Sequence, residues 1–315
     1  MGVFIFRRLL QAIVTLFGVA TIVFFIVRLS GDPAALLLPE QATDAEVAAL
    51  RAALGLDQPV RVQYLRFVSD ALRGNLGQSI RQGESALGLV LERLPATAEL
   101  AVSAFLLGIL AAFSLGVLVQ AFRRRGFTAL VLWVAFTRQA IPVFWFGLLL
   151  ILLFSVTLGW LPALGSGSWR HLVLPAVTLG TFELALYLRL LDAGFGEHLR
   201  QDYARTARAK GLRELAVALR HAFPNVLLPI VTVAGINFGV LLSGTVITET
   251  VFSWPGVGRL VIQAVLQRDY PVVQAAMLVV SVIFVFVNLA VDLLYGCIDP
   301  RVRLVAGAGP IPRRN

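Results

Sequence analysis

Six runs of mostly apolar residues, each long enough to cross a bilayer as a helix, constrain this chain more than anything else in it. A hydrocarbon core about 30 Å thick takes ~20 helical residues, and inside it every backbone N–H and C=O must find its partner within the protein. The runs cover residues 9–27, 98–121, 127–158, 172–191, 226–247 and 272–295. The first lies between Arg8 and Arg28. It is too long, and too rich in Phe and Val, for a cleaved signal core of ~7–15 residues, so it is expected to stay as an anchor. Arg138 and Pro142 interrupt the third. The short alternating segments of a membrane β-barrel are not seen. The expected fold class is all-α: a polytopic membrane protein with six transmembrane helices.

Composition supports this. Apolar residues make up 58% and charged residues 14%, with a mean hydropathy of +0.83, against roughly 45–50% and ~25% in soluble domains. That excludes a soluble globular enzyme, a disordered chain and a collagen-like chain. A single cysteine, Cys297, forms no internal disulfide. The net charge of +9 would point to nucleic acid in a soluble protein. Here the arginines flank apolar spans and no aromatic-basic module accompanies them, so the expected partner is the lipid bilayer and not nucleic acid.

Basic residues between the spans set the orientation. With Met1 inside, the inner segments carry fifteen basic residues and five carboxylates, and the outer ones nine and ten. Both termini are therefore expected in the cytoplasm. The chain then divides into an N-terminus and first span (1–29), an extracytoplasmic helical loop (30–95), and a core (96–315) that contains a cytoplasmic loop at 192–225.

In the outer loop, Thr43-Asp44-Ala45-Glu46 has the form of a capping box. Val47, Leu50 and Leu54 follow on one face, and Gly55 can end the helix. Pro59 suits the start of a second helix, with Tyr64, Phe67, Val68, Ala71 and Leu72 as its apolar face and Gly74 at its end. Two readings stand: an amphipathic cap on the membrane domain, or a docking surface for an extracytoplasmic partner.

The inner loop is the informative segment. It contains Tyr203-Ala204-Arg205-Thr206-Ala207-Arg208-Ala209-Lys210-Gly211-Leu212. Its alanines favour a helix and Gly211 ends it, while Leu212 and Leu215 suggest a second short helix. By itself this is a basic loop that the positive-inside rule explains, or a short helix whose small residues let another protein pack closely. The run resembles the coupling motif of binding-protein-dependent ABC importer permeases, written EAA-x3-G-x9-I-x-L-P. Arg205-Thr206-Ala207 stand at EAA, Gly211 at the glycine, and His221-Ala222-Phe223-Pro224 close the pattern. The glutamate and the isoleucine are absent, and this form is similar to the variant of the dipeptide/oligopeptide/nickel branch. Three further stretches resemble that branch: Gly55-Leu56-Asp57-Gln58-Pro59 with Gly74-Asn75-Leu76-Gly77, Glu249 to Leu260 around Trp254-Pro255-Gly256, and 288–303 with Asp299-Pro300-Arg301.

The resemblance implies a permease paired with a second, homologous permease, two ABC ATPase subunits on the cytoplasmic side and an extracytoplasmic substrate-binding protein. It implies an inner-membrane transport subunit, not an enzyme, that binds no cofactor, with ATP and Mg on the partner subunits. The residues agree about ATP. A P-loop needs G-x-x-x-x-G-K-[ST], and the only lysine, Lys210, lies between Ala209 and Gly211. Tyr203, Arg205, Thr206, Ala207, Arg208, Lys210 and Gly211 are the expected coupling residues. Arg205, Arg208 and Lys210 would pair with acidic groups on the ATPase, and Ala207 and Gly211 would permit close approach. By resemblance the cargo is a di- or oligopeptide, with nickel chelates, glutathione or glycoside-like solutes as alternatives.

Within the membrane, Gly235, Gly239 and Ser243 form a small-x-x-x-small stripe. It is either a packing seam or a wall of the translocation path, with Asn237 facing the substrate. Arg138, Glu183, Arg189 and Asp292 are intramembrane ionisable residues and functional candidates on that ground. Snorkelling explains Arg189 and Asp292 near the inner ends. Arg138 and Glu183 are expected to form either a structural ion pair or a peptide-contacting site. The three histidines are scattered, and no zinc or serine-nucleophile motif occurs. A stand-alone secondary transporter or channel is the rival class, and it would require an inverted repeat with broken helices near the midplane. No such repeat is found.

Overall fold

The computed structural model describes residues 2–29, 42–53, 55–122 and 125–298. Leu54, Arg123-Arg124 and the Asp299-Pro300-Arg301 run lie outside the described residues, as do the side chains of Ser243, Asp292 and Cys297. Every long element is a helix. Among the described residues, four helices are apolar and long enough to span a membrane, and six spans result if each of two bent pairs counts as one. The chain divides into two units, residues 1–95 with 256–286, and residues 96–255 with 287–315.

The first unit contains α1 (Gly2–Leu29), α2 (Asp44–Ala53), α3 (Val60–Leu72), the start of α4 (Ala86–Phe122), α12 (Val257–Leu266) and most of α13 (Tyr270–Ile298). The capping box forms: the Thr43 amide donates to Glu46 Oε2 at 2.8 Å, and the Glu46 amide donates back to Thr43 Oγ1 at 3.4 Å. These bonds, chiefly from the Thr43 backbone, hold the Glu46 carboxyl below its ordinary range. Aromatic rings fasten α3 to α1. Phe24, fully buried, has its ring centroid 5.1 Å from that of Tyr64 and 5.5 Å from that of Phe67, and Tyr64 Oη shares a 2.6 Å hydrogen bond with Thr21 Oγ1. Leu72, expected on this apolar face, is instead 84% exposed, because α3 turns away at its last residue before Gly74 (φ +78°). A separate core joins Leu89 and Val90 of α4 to Leu260 and Ala264 of α12 and to Val272 and Ala276 of α13. The buried Asp269 accepts hydrogen bonds from the Ser79 hydroxyl and from the amides of Ile80 and Arg81, and so fixes the tight loop before α4.

The second unit contains the rest of α4, α5 (Arg125–Ala140), α6 (Val143–Leu150), α7 (Trp169–His198), α8 (Asp202–Ala209), α9 (Glu214–Val217), α10 (Phe223–Gly244) and α11 (Val246–Val251). The third expected span is not one rod. Residues 126–140 and 143–157 meet at 106°, because Pro142 has no amide to continue α5 and holds φ at −55° while Ile141 before it avoids the helical region. The fifth bends by 48° where Pro229 interrupts it.

Small residues bring α4 and α7 into backbone contact. Ala104, Gly108, Ala112 and Gly116 recur every fourth residue on α4. A Cβ on Gly108 would lie 2.7 Å from the Gly180 carbonyl oxygen, and one on Gly180 would lie 2.6 Å from that of Ala104. Only glycine allows this approach. Farther along, Leu191 of α7 fills the space beside Gly116. After α10, the Glu249 carboxylate is fully buried and accepts from Thr97 Oγ1 at 2.8 Å, while Trp254 Nε1 donates to the Ala96 carbonyl at 2.8 Å. Two residues of the 249–260 signature thus tie it to the N-terminal part of α4.

Candidate functional site

The polar loop between α7 and α10 folds as two short helices packed against the C-terminal part of α7 and the start of α10. Gln201 stands in extended conformation just before α8, and the Thr206 hydroxyl donates back to the Asp202 carbonyl at 2.9 Å. Gly211 ends it at φ +83°, in the left-handed region. Nothing lies within 4 Å of a Cβ built there, so this glycine serves the backbone turn. Ala204 and Ala207 are buried in a core with Tyr187, Leu191 and Phe195 of α7, Val217 of α9, and Val226 and Ile230 of α10. This revises the role expected of Ala207. The alanines lie three residues apart on one helix face, and that face is packed into the chain itself, leaving Tyr203, Thr206 and Lys210 on the exposed side.

Arg208 is also committed internally. Its Nε donates to Glu214 Oε1 at 2.6 Å, and its two terminal nitrogens reach Glu214 Oε2 at 3.3 Å and the Leu199 carbonyl at 3.0 Å. The guanidinium fork pins α8 to the end of α7 and to the start of α9 at once. It is expected to meet an acidic partner; in the structure three of its five N–H donors are held within this chain. Arg205 faces Asp202 at 3.5 Å with both side chains largely exposed, a pair worth little in water. Tyr203 Oη and His198 Nδ1 are 3.0 Å apart. The next helix continues through a widened π-type turn (Ala218–Ala222) into α10, and exposes Leu212, Leu215 and Leu219 beside the polar face of α8.

The intramembrane candidates do not behave as one group. Arg138 and Glu183 are not paired with each other. Arg138 donates to Thr181 Oγ1 (3.0 Å), the Thr178 carbonyl (2.6 Å) and the Ile141 carbonyl (3.2 Å), and lies 3.9 Å from the centre of the Phe146 ring. It therefore stitches the α5–α6 bend to α7, donating to the Ile141 carbonyl at the bend and to Thr178 and Thr181 on α7. Glu183 instead accepts from Asn237 Nδ2 at 3.0 Å, joining α7 to α10. On the α10 stripe, Gly235 abuts Val291 of α13 and Gly239 is buried. Glu249 and Asp269 were not among the expected ionisable residues, since each sits just outside an apolar run. Glu249 opens the 249–260 stretch already singled out by resemblance, whereas nothing in the Arg268-Asp269-Tyr270-Pro271 turn marks Asp269 as buried. Among the described residues, no group of three metal-ligating side chains occurs.

Residues 104–304 match the model of the family described as binding-protein-dependent transport system inner membrane component, and residues 1–101 match that of the N-terminal part of such components. The glutathione transport system permease proteins GsiC of Escherichia coli strain K12, of E. coli O6:H1 and of Salmonella paratyphi A are each 40% identical over 301 residues, covering 95% of this chain and 98% of theirs. A chain in a structure of the inward-facing MetNI methionine ABC transporter aligns with a TM-score of 0.55 at 18% identity, covering 67% of this chain and 96% of that one. That likeness concerns the fold. The expected nature of the chain holds: a multi-pass, all-helical transport subunit, not an enzyme, working with ATPase subunits that carry the nucleotide and with a binding protein. This chain belongs to the family of binding-protein-dependent ABC importer permeases of the inner membrane.

Proposed function

We propose that this permease imports small peptides, glutathione foremost, as one half of a translocation path completed by a second, homologous permease. The substrate named for the GsiC relatives is glutathione, a tripeptide thiol, and the likeness to them extends over nearly the whole chain. In this reading both termini and residues 192–225 face the cytoplasm, and residues 30–95 form the extracytoplasmic helical loop. The core at 96–315 holds the path, to which Asn237, Gly239, Ser243 and Glu183 contribute polar or small surface. Arg138 supports the path by holding the α5–α6 bend rather than by touching cargo.

One observation carries the coupling mechanism: α8 is joined to α7 through Ala204, Ala207 and Arg208, while Tyr203, Arg205, Thr206 and Lys210 point outward. An ATPase subunit gripping that outward face, with Leu215 and Leu219 beside it, moves α7 and α10 together. Gly211 supplies the reversal that presents the face. ATP-driven closure of the ATPase pair then rocks the spans between inward- and outward-facing states, a rigid-body transition.

The test is reconstitution. Proteoliposomes holding the assembled importer are expected to accumulate labelled glutathione only when ATP is supplied on the ATPase side and binding protein on the other. Uphill uptake by this subunit alone, driven by an ion gradient, rejects the proposal in favour of a secondary transporter. ATP-driven uptake of a nickel chelate or a glycoside, with glutathione refused, rejects the peptide assignment alone.

A further inference from the structure

A cavity of about 610 Å³ opens where the inner ends of α4 and α7 meet α8, lined by Gln120, Asp192, Phe195, Gly196, Leu199, Arg200, Arg205 and Arg208. Its chemistry is uneven. Three guanidinium groups face one carboxylate, above the apolar Phe195 and Leu199. Arg208 is already held by Glu214, and Arg205 has only its exposed contact with Asp202. No partner for the Arg200 guanidinium is found among the described residues. Its level is set by the chain: the apolar run of the second span ends at residue 121, next to Gln120, and that of the fourth ends at 191, next to Asp192. The cavity therefore lies where hydrocarbon gives way to headgroups.

We propose that this cavity binds the phosphate-bearing headgroup of an anionic phospholipid of the inner leaflet. Guanidinium forks match phosphate oxygens with paired hydrogen bonds, and basic pockets at the inner ends of membrane helices suit anionic lipid headgroups. Arg200 and Gln120 supply the free donors, and the buried Phe195 and Leu199 close the floor beneath them. A bound lipid would bridge α4, α7 and the coupling helix, so that bilayer composition bears on the same joint the ATPase moves. The inference rests on the cytoplasmic placement of residues 192–225 proposed above.

The assembled importer, in nanodiscs of phosphatidylcholine with phosphatidylglycerol, is examined by native mass spectrometry. Phosphatidylglycerol is expected to remain bound to the wild type in preference to phosphatidylcholine. Arg200→Gln should lower its occupancy on the order of tenfold, the loss of one charge-assisted contact, and Arg200→Lys should recover part of it. Equal retention by Arg200→Gln, or equal retention of phosphatidylcholine, overturns the proposal. Displacement of the lipid by inorganic phosphate at matching concentration overturns it in favour of a soluble-anion site. ATP-driven uptake by the wild type in proteoliposomes of the same mixed lipids is followed in parallel. Its absence counts against the importer reading, whereas changes in lipid occupancy with uptake intact concern this inference only.

Discussion

The middle of α7 and its C-terminal end are held by opposite means. Near its middle, Gly180 lies against α4 with backbone touching backbone, and no side chain intervenes. At its C-terminal end, α7 carries α8, the proposed coupling helix, through two alanines and a three-pronged arginine. The first contact has no slack, because a carbonyl and a Cα cannot choose another rotamer. The second is built from side chains, one of them a half-exposed ion pair, and has room to yield. A lever needs that combination: a fulcrum that cannot slip and a handle that tolerates load. In a membrane, where lipid tails compete equally for apolar surface, close packing of small residues is what remains to make a fulcrum.

The comparison is broken most severely by filling the crossing. Gly180→Leu places four carbons where even one would meet the Ala104 carbonyl at 2.6 Å. We expect destabilisation at the upper end of the ~1–3 kcal/mol usual for overpacking, read as a lowered Tm of the detergent-solubilised permease and a loss of monodisperse protein. Gly126→Leu is the control, because nothing lies within 4 Å of that position, and it should leave Tm unchanged. Equal behaviour of the two variants would show that the crossing is not the rigid element.

Breaking the handle should cost less. Arg208→Gln with Glu214→Gln, taken singly and together, forms a double-mutant cycle. The side chains are 32% and 40% exposed, so solvent screens the pair and the expected coupling energy is about 0.5–1 kcal/mol. The distinguishing readout is the ratio of uptake to ATP hydrolysis in the assembled importer. It should fall while Tm moves little, since α8 loses its tie to α7 without leaving the core that Ala204 and Ala207 occupy. A cycle that sums to zero would assign the holding of α8 to the alanines alone.

The handle was more legible in the sequence than the fulcrum, for a physical reason. In a polar loop, alanines at 204 and 207, a stop at Gly211 and the arginines contrast with their surroundings, so helix, end and motif can all be read. What could not be read was direction: the spacing puts Ala204 and Ala207 on one face, but only packing shows that face turned inward. In α4, Ala104, Gly108, Ala112 and Gly116 lie among residues as apolar as lipid, so their four-residue repeat has no polar face to set it off. Arg138 and Glu183 were recognised as costly in the membrane, yet their partners were misjudged, since Thr178, Thr181 and Ile141 become acceptors only once Pro142 turns the chain by 106°. Length and hydropathy suffice for four unbroken spans, and six follow where each of the two bent pairs counts as one.

The smallest expected effect lies in a third way of fixing a helix end, away from both contacts of α7. In the Thr43–Glu46 box an exposed carboxylate holds two donors of its own turn, so it reports what a local bond does with no packing behind it. The Glu46 carboxyl is held below its ordinary range, first by the Thr43 amide and then by its hydroxyl. A depressed carboxylate contributes its stabilisation above the unfolded-state value and loses it as pH falls through the lowered folded value. Protection of the Thr43 amide from hydrogen exchange, corrected for intrinsic rates, should therefore be steady near neutrality and decline on acidification through and below the usual carboxylate range. Glu46→Gln should show a flat profile with weaker protection throughout. Uptake should be the same in both proteins at neutral pH, because the first turn of α2 carries neither fulcrum nor handle. If wild type and variant gave the same acid profile, the Thr43 amide would have to be held by something other than this carboxylate. If uptake followed the box, force would pass through the 30–95 segment, and the division of labour along α7 would describe only part of the machine.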